Sequence, residues 1–195
     1  NVEISLTKKP KNPTIIEGFP GFGLVGTIAT EYLIEHLETE MIGKIMLDDM
    51  PAMVAIHENK VVHPLGVYYN KEHNLIILHA INPAQGMEWK MAEAIAAMAK
   101  QLDASEIISL EGVGSATPTE KATAQTFYYT NNKGKEKILM NITSPLKEGI
   151  IIGVTGALLV RVEGMPLSCI FAEAKTEMPD SNAAASIIEV LDKYL

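Results

Sequence analysis

Between Thr14 and Leu37 the chain passes from a short apolar run, Thr14-Ile-Ile-Glu-Gly18, through a loop with glycines at 18, 21, 23 and 26, into a segment of helical periodicity. Leu24, Val25, Ile28, Ala29, Tyr32, Leu33 and Leu37 form the apolar stripe, with Thr27, Glu31, Glu35 and Glu38 opposite. That is the spacing of an amphipathic helix. A buried strand, a tight turn and a helix in immediate succession begin an alternating pattern. Its continuation fixes the fold class.

Met41–Leu47 reads as a second strand, stopped by Asp48-Asp49-Met50-Pro51. Ala52–Glu58 and Val61–Tyr69 read as strands joined at Asn59-Lys60, a connection short enough for a hairpin. Leu75–Ile81 is an apolar strand, and Asn82-Pro83 supplies a cap and a first helical residue. Met87, Met91, Ile95, Met98 and Leu102 then share one helix face. Glu106–Leu110 is a buried strand ending at Glu111-Gly112-Val113-Gly114. Gln125–Thr130 and Lys137–Asn141 read as strands around an Asn-Asn-Lys-Gly turn, and Gly149–Gly156 leads into a helix over Ala157–Val162. Leu167–Ala174 is the last strand, and Pro179-Asp180 opens a C-terminal helix burying Ala184, Ile187, Ile188, Leu191 and Leu195. Strands alternating with helices predict one α/β domain over 1–195, with a mixed sheet and helices on both faces.

Gly21-Phe-Gly-Leu-Val-Gly26 also fits G-x-G-x-x-G, the dinucleotide fingerprint. Glycines there permit close approach of a pyrophosphate, and the following helix N-terminus favours an anion. Asp48 ends the next strand, where a ribose-binding acid would sit, but later than the usual spacing of about 20 residues. Gly18-Phe19-Pro20 intervenes between the strand and the motif, and the second strand leads into a hairpin instead of a helix. The favoured reading is that these glycines bring the first helix tightly onto the sheet.

Composition narrows the partners. The formal net charge is −8, and Arg161 is the only arginine among 16 basic residues, which argues against nucleic acid. The runs Lys8-Lys9 with Lys11, and Lys133, Lys135, Lys137, read as solvated loop tips. No apolar run reaches membrane-spanning length and no signal peptide is evident, so a cytoplasmic location is expected. The absence of methionine before Asn1 is read as trimming of a short leader. Cys169 is the single cysteine, lies in an apolar run and is expected in the core.

Pro20-Gly-Phe-Gly-Leu-Val-Gly-Thr-Ile-Ala29 with Glu31-Tyr-Leu33 resembles the opening of the proteasome assembly chaperone 2 family. Asp49-Met-Pro51, Glu111-Gly-Val113, Gly149–Gly153, Gly156–Leu159, Gly164-Met-Pro166, Ala172-Glu-Ala174, and Asp180 with Ala183–Ala185 resemble its later blocks, in order. The resemblance implies a three-layer α/β/α fold similar to the purine nucleoside phosphorylase and nucleosidase architecture. It implies a non-enzymatic role assisting assembly of 20S proteasome α-subunits, with those subunits as partners, and no cofactor. The family's docking tail, hydrophobic-Tyr-any, is matched here only in part. Tyr194 and Leu195 form a candidate docking end, but Lys193 stands at the hydrophobic position.

The nucleosidase-like fold implies a ligand pocket lined by Gly21, Phe22, Gly23, Glu111, Gly112, Thr155 and Glu173. Glu17, Glu111, Glu173 and Asp180 lie near strand ends, where two converging carboxylates can act as acid and base. The competing reading is that these acids cap helices or bind loop amides. His36, His57, His63, His73 and His79 show no zinc-protease spacing, and no metal site is assigned. No G-x-S-x-G or Walker A motif occurs, no catalytic residue is assigned, and Ser115 reads as a loop residue. The reading favoured is a homo-oligomer acting by protein–protein contact. Its candidate surfaces are the Asp48–Met53 turn, the Tyr68-Tyr69 edge and the methionine-bearing long helix, whose Met87, Met91 and Met98 read first as core. The alternative is a nucleoside-like small-molecule enzyme or sensor at the glycine loop.

Overall fold

The computed structural model describes residues 2–114, 124–175 and 178–195. Its strands are β1 (Val2–Leu6), β2 (Thr14–Gly18), β3 (Glu40–Leu47), β4 (Ala55–His57), β5 (Lys60–Val62), β6 (Leu65–Asn70), β7 (Leu75–Ala80), β8 (Glu106–Gly114), β9 (Thr126–Thr130), β10 (Ser144–Pro145) and β11 (Leu167–Ala174). The helices are α1 (Val25–His36), α2 (Glu88–Gln101), α3 (Lys133–Leu139), α4 (Val154–Arg161) and α5 (Ser181–Tyr194). A nine-stranded sheet runs β1-β3-β6-β7-β2-β8-β11-β9-β10, and β4-β5 form a separate two-stranded sheet.

The sheet is mixed because its connections are. β7, β2, β8 and β11 are mutually parallel, joined through helices. β1, β3, β6 and β7 pair antiparallel in sequence. Alternation along the central strands separates two cores. Ile15, Ile76, Leu78 and Ile107 face α2 and α4, while Ile16, Ile77, Ile108 and Ile170 face α1 and α5. Both faces are therefore covered, which is why these strands read as unbroken apolar runs. Met91 and Met98 are buried under α2, and Cys169 is buried in β11.

Several local expectations are corrected. Lys137–Asn141 is not a strand. Asn132 accepts a hydrogen bond from the Lys135 N–H at 2.9 Å and caps helix α3, so the Asn-Asn-Lys-Gly segment starts a helix instead of turning a hairpin. Asn82-Pro83 does not open α2. Ala84 sits at φ 55 with its N–H donated to Asn82 Oδ1 at 2.8 Å, which turns the chain before the helix begins at Glu88. The hairpin exists, but its turn is Glu58-Asn59, both at positive φ (47 and 64), the conformation that suits tight hairpins. Val61–Tyr69 is broken at His63-Pro64 into β5 and β6. Tyr68-Tyr69 is no edge, because β6 is hydrogen-bonded between β3 and β7. Strand β1, which the apolar pattern does not announce, pairs with β3 through Val2↔Leu47 to Leu6↔Gly43. Ser115 lies outside the described residues. Among those described, no helix is long and apolar enough to cross a membrane.

Candidate functional site

The glycine loop sits at the C-terminal ends of the parallel strands, the usual place for a site in such sheets. Its glycines do steric work. A Cβ on Gly26 would lie 2.5 Å from the Leu110 carbonyl oxygen, and one on Gly18 2.1 Å from the Gly26 oxygen. Helix α1 therefore rests directly on β2 and β8, closer than any side chain allows. Gly23 (φ 64) and Leu24 (φ 51) are both left-handed, and they swing the chain from the loop into α1. The Gly23 carbonyl accepts from the Asp180 N–H at 2.9 Å, which ties the loop to the start of α5.

Beneath this loop two carboxyl groups meet. Glu17, from the end of β2, and Glu111, from β8, belong to the sheet face that carries α4. Thr155, in the first turn of α4, has its hydroxyl 3.1 Å from Glu17 Oε1 and 3.0 Å from Glu111 Oε2. A threonine hydroxyl has one proton to give. It donates to one carboxylate and accepts from the other group, which must then carry a proton itself. All three side chains are buried. Burial raises Glu17 from 4.5 to about 7. Glu111 is raised well above its usual range, first by burial and then by the neighbouring Glu17 charge. The Cys169 thiol is pushed up by burial and by both acids, which leaves it protonated and unreactive. Among the described residues, Glu17 Oε2 and Ser109 Oγ are buried with no hydrogen bond of full geometry, although Ser109 lies close enough to temper the rise of Glu17.

The predicted lining residues divide. A Cβ on Gly21 would come 2.2 Å from Glu111 Oε1, so the loop backbone covers that acid closely. A Cβ on Gly112 would come 2.2 Å from the Phe22 carbonyl oxygen, so the loop also lies directly on β8. Gly21, Phe22, Glu111, Gly112 and Thr155 are therefore brought together in one cluster, with Gly23 on its outer side against Ala174 and Asp180. Glu173 makes none of these contacts. It lies opposite Val113 on β11, half-buried, with its N–H donated to Gln125. Asp180 accepts from the Ala183 N–H at 3.0 Å and caps α5, as the helix-capping reading of the acids expects. Glu17 was visible only as a strand-end acid. Its partnership with Glu111 follows from the register Glu17↔Ser109, which no single-strand pattern contains.

A second polar cluster lies at the opposite end of β8. The Tyr194 hydroxyl donates to both Glu106 oxygens, at 2.9 and 2.8 Å. Ser168 also donates to Glu106, and Lys135 Nζ stands 3.8 Å away. Burial and the Glu106 carboxylate raise the Tyr194 phenol far above its ordinary value. Tyr194 is thus held against the body of the protein, and Leu195 is half-exposed.

Comparison with known proteins gives a consistent picture. A sequence model described as the PAC2 family matches residues 15–195. A solved structure of Pyrococcus furiosus PbaA, described as an archaeal homolog of proteasome-assembly chaperone, is 31% identical with a TM-score of 0.88, covering 100% of this chain and 85% of that one. P. furiosus PbaB, described as an archaeal proteasome activator, shares the fold at 22% identity and a TM-score of 0.82, over 100% of this chain and 88% of that one. An uncharacterized Methanocaldococcus jannaschii protein, MJ0106, is 28% identical over 94% of this chain and 75% of its own length.

Proposed function

The chain belongs to the PAC2 family, and on that premise we propose that it works by protein–protein contact, assisting the assembly of proteasome α-subunits and acting as a homo-oligomer. The observation that carries this reading is the 31% identity to the PbaA structure, sustained over the whole chain. Two surface features support it. Exposed aliphatic side chains concentrate on the β4–β5 hairpin (Val54, Ile56, Val61) and on the segment leading to α4 (Ile150, Ile152). Apolar groups left in water along connected segments suit a partner's surface. The glycines of the loop are also accounted for by helix seating, and the ionisable groups directly beneath them are two acids with no cation between them among the described contacts, a poor environment for a pyrophosphate.

Co-expression with proteasome α-subunits tests the reading. The chain is expected to co-purify with them and to raise the yield of assembled rings. Absence of both effects removes it. A second reading rests on one observation: Glu17 Oε2 and Ser109 Oγ, which lack a hydrogen bond of full geometry among the described residues, suit a small polar ligand beside Glu111. Under that reading nucleosides raise the melting temperature of the wild type but not of Glu111→Gln. Under the chaperone reading they raise neither.

A further inference from the structure

Helix α1 carries Glu31 and Glu35 four residues apart, so both carboxylates lie on one face, a turn from each other. The β4–β5 hairpin meets that face. His57, at the end of β4, sets its Nε2 3.1 Å from Glu35 Oε1 and 3.8 Å from Glu31 Oε1. One ligand atom from each residue lies within 4.8 Å of the other two. We propose that Glu31, Glu35 and His57 form a binding site for one divalent transition-metal ion of the zinc class.

Three observations carry this. The first is separation. A tetrahedral ion with bonds of roughly 2.0–2.1 Å holds its ligand atoms about 3.3 Å apart. The two imidazole–carboxylate separations, 3.1 and 3.8 Å, bracket that distance, and the two carboxylates lie within 4.8 Å of each other, so side-chain adjustment brings three donors onto one ion. The second is donor chemistry. One imidazole nitrogen with two carboxylate oxygens suits zinc and its neighbours, whereas calcium and magnesium favour oxygen alone. The third is access. The three side chains are between 36% and 49% exposed, which leaves a fourth position open to water or to a partner's ligand.

The ion would join two elements that the main sheet does not. The hairpin forms its own two-stranded sheet, outside the nine-stranded one. Bridging His57 to α1 fixes the hairpin's position, and with it the exposed Ile56 and Val61 that flank the turn. The site stands on the geometry of these three residues and does not depend on the chaperone reading.

Without an ion the same residues make a cluster of one imidazole and two carboxyl groups, and metal titration separates the two. Untagged, chelator-stripped protein is titrated with Zn²⁺ in competition with a chromogenic chelator. The wild type is expected to take up one equivalent, with excess Mg²⁺ and Ca²⁺ failing to displace it. His57→Ala and Glu35→Gln should each weaken uptake by more than about tenfold, the lower end of what even a supporting partner contributes. His73→Ala should bind as the wild type does. X-ray absorption of the loaded protein should show one imidazole in the zinc shell. No stoichiometric uptake by the wild type, wild-type affinity in His57→Ala, or two or more imidazoles in the shell would each overturn the proposal. The substituted side chains are half-exposed, and unchanged circular dichroism confirms that a loss of binding is not a loss of fold.

Discussion

At the scale of single residues, the buried titratable groups give stability opposing pH dependences. Glu17 titrates near 7 in the folded protein. Between about pH 4.5 and 7 the folded state binds the extra proton, so stability falls as pH rises through that window, by roughly 3 kcal/mol in all. Glu111 acts in the same direction. His79 acts in the other. It is buried, with Nδ1 2.8 Å from the Thr30 hydroxyl, and burial lowers it to about 4. Between about pH 6.5 and 4 the unfolded state binds the extra proton, so His79 removes stability as pH falls. The two effects offset each other in the overlap. Glu17→Gln should therefore be more stable than the wild type at pH 8, and that advantage should shrink as the pH falls from about 7 to 4.5. Urea denaturation across pH checks both. Parallel pH curves for the two proteins would show that Glu17 is ionised as an ordinary surface acid. Thr155→Val, which removes the hydroxyl between the acids, should cost about 1–3 kcal/mol. In the native state Cys169 should resist thiol reagents that label it after unfolding.

At the scale of elements, the seating of α1 depends on bare backbone. Gly26→Ala places a methyl 2.5 Å from the Leu110 carbonyl oxygen, and the helix must lift to make room. The expected loss is about 1–3 kcal/mol, the range for overpacking a tight contact. Gly149→Ala, where the nearest atom is a flexible Leu146 methyl at 3.3 Å, should change stability by less than about 1 kcal/mol. Equal melting temperatures for the two variants would mean that the loop glycines serve something other than packing. This is also the level at which the sequence was most readable. Thr14–Gly18 and Leu167–Ala174 have the observed bounds because both are buried on two faces, the first bounded by Thr14 and Gly18 and the second flanked by Pro166 and Lys175. Two of the misread elements are decided by a side-chain hydrogen bond. Asn132 turned a supposed hairpin into α3, and Asn82 with Ala84 delayed α2. Periodicity does not register such bonds. It also could not bring Glu17 to Glu111, or His57 to Glu31 and Glu35, since those meetings depend on strand order and on where the hairpin lands.

At the scale of the whole molecule, the fold places its apolar burial on both faces of one sheet and still leaves aliphatic side chains outside. Ile56 is 73% exposed and Ile152 71%. Ile56→Lys or Ile152→Lys should leave the melting temperature nearly unchanged, because neither side chain contributes much buried area. At least one should weaken self-association or partner binding, as read by sedimentation velocity. The proposed role has this PAC2-family chain acting through such contacts on proteasome subunits, with the glycine loop as a structural seat. Native mass spectrometry of the purified chain mixed with proteasome α-subunits, with and without nucleotide, tests it most directly. The account predicts discrete complexes containing both proteins, with nucleotide neither bound nor altering their abundance. Nucleotide bound stoichiometrically to the chain, with no mixed complex at any ratio of the two proteins, would contradict it.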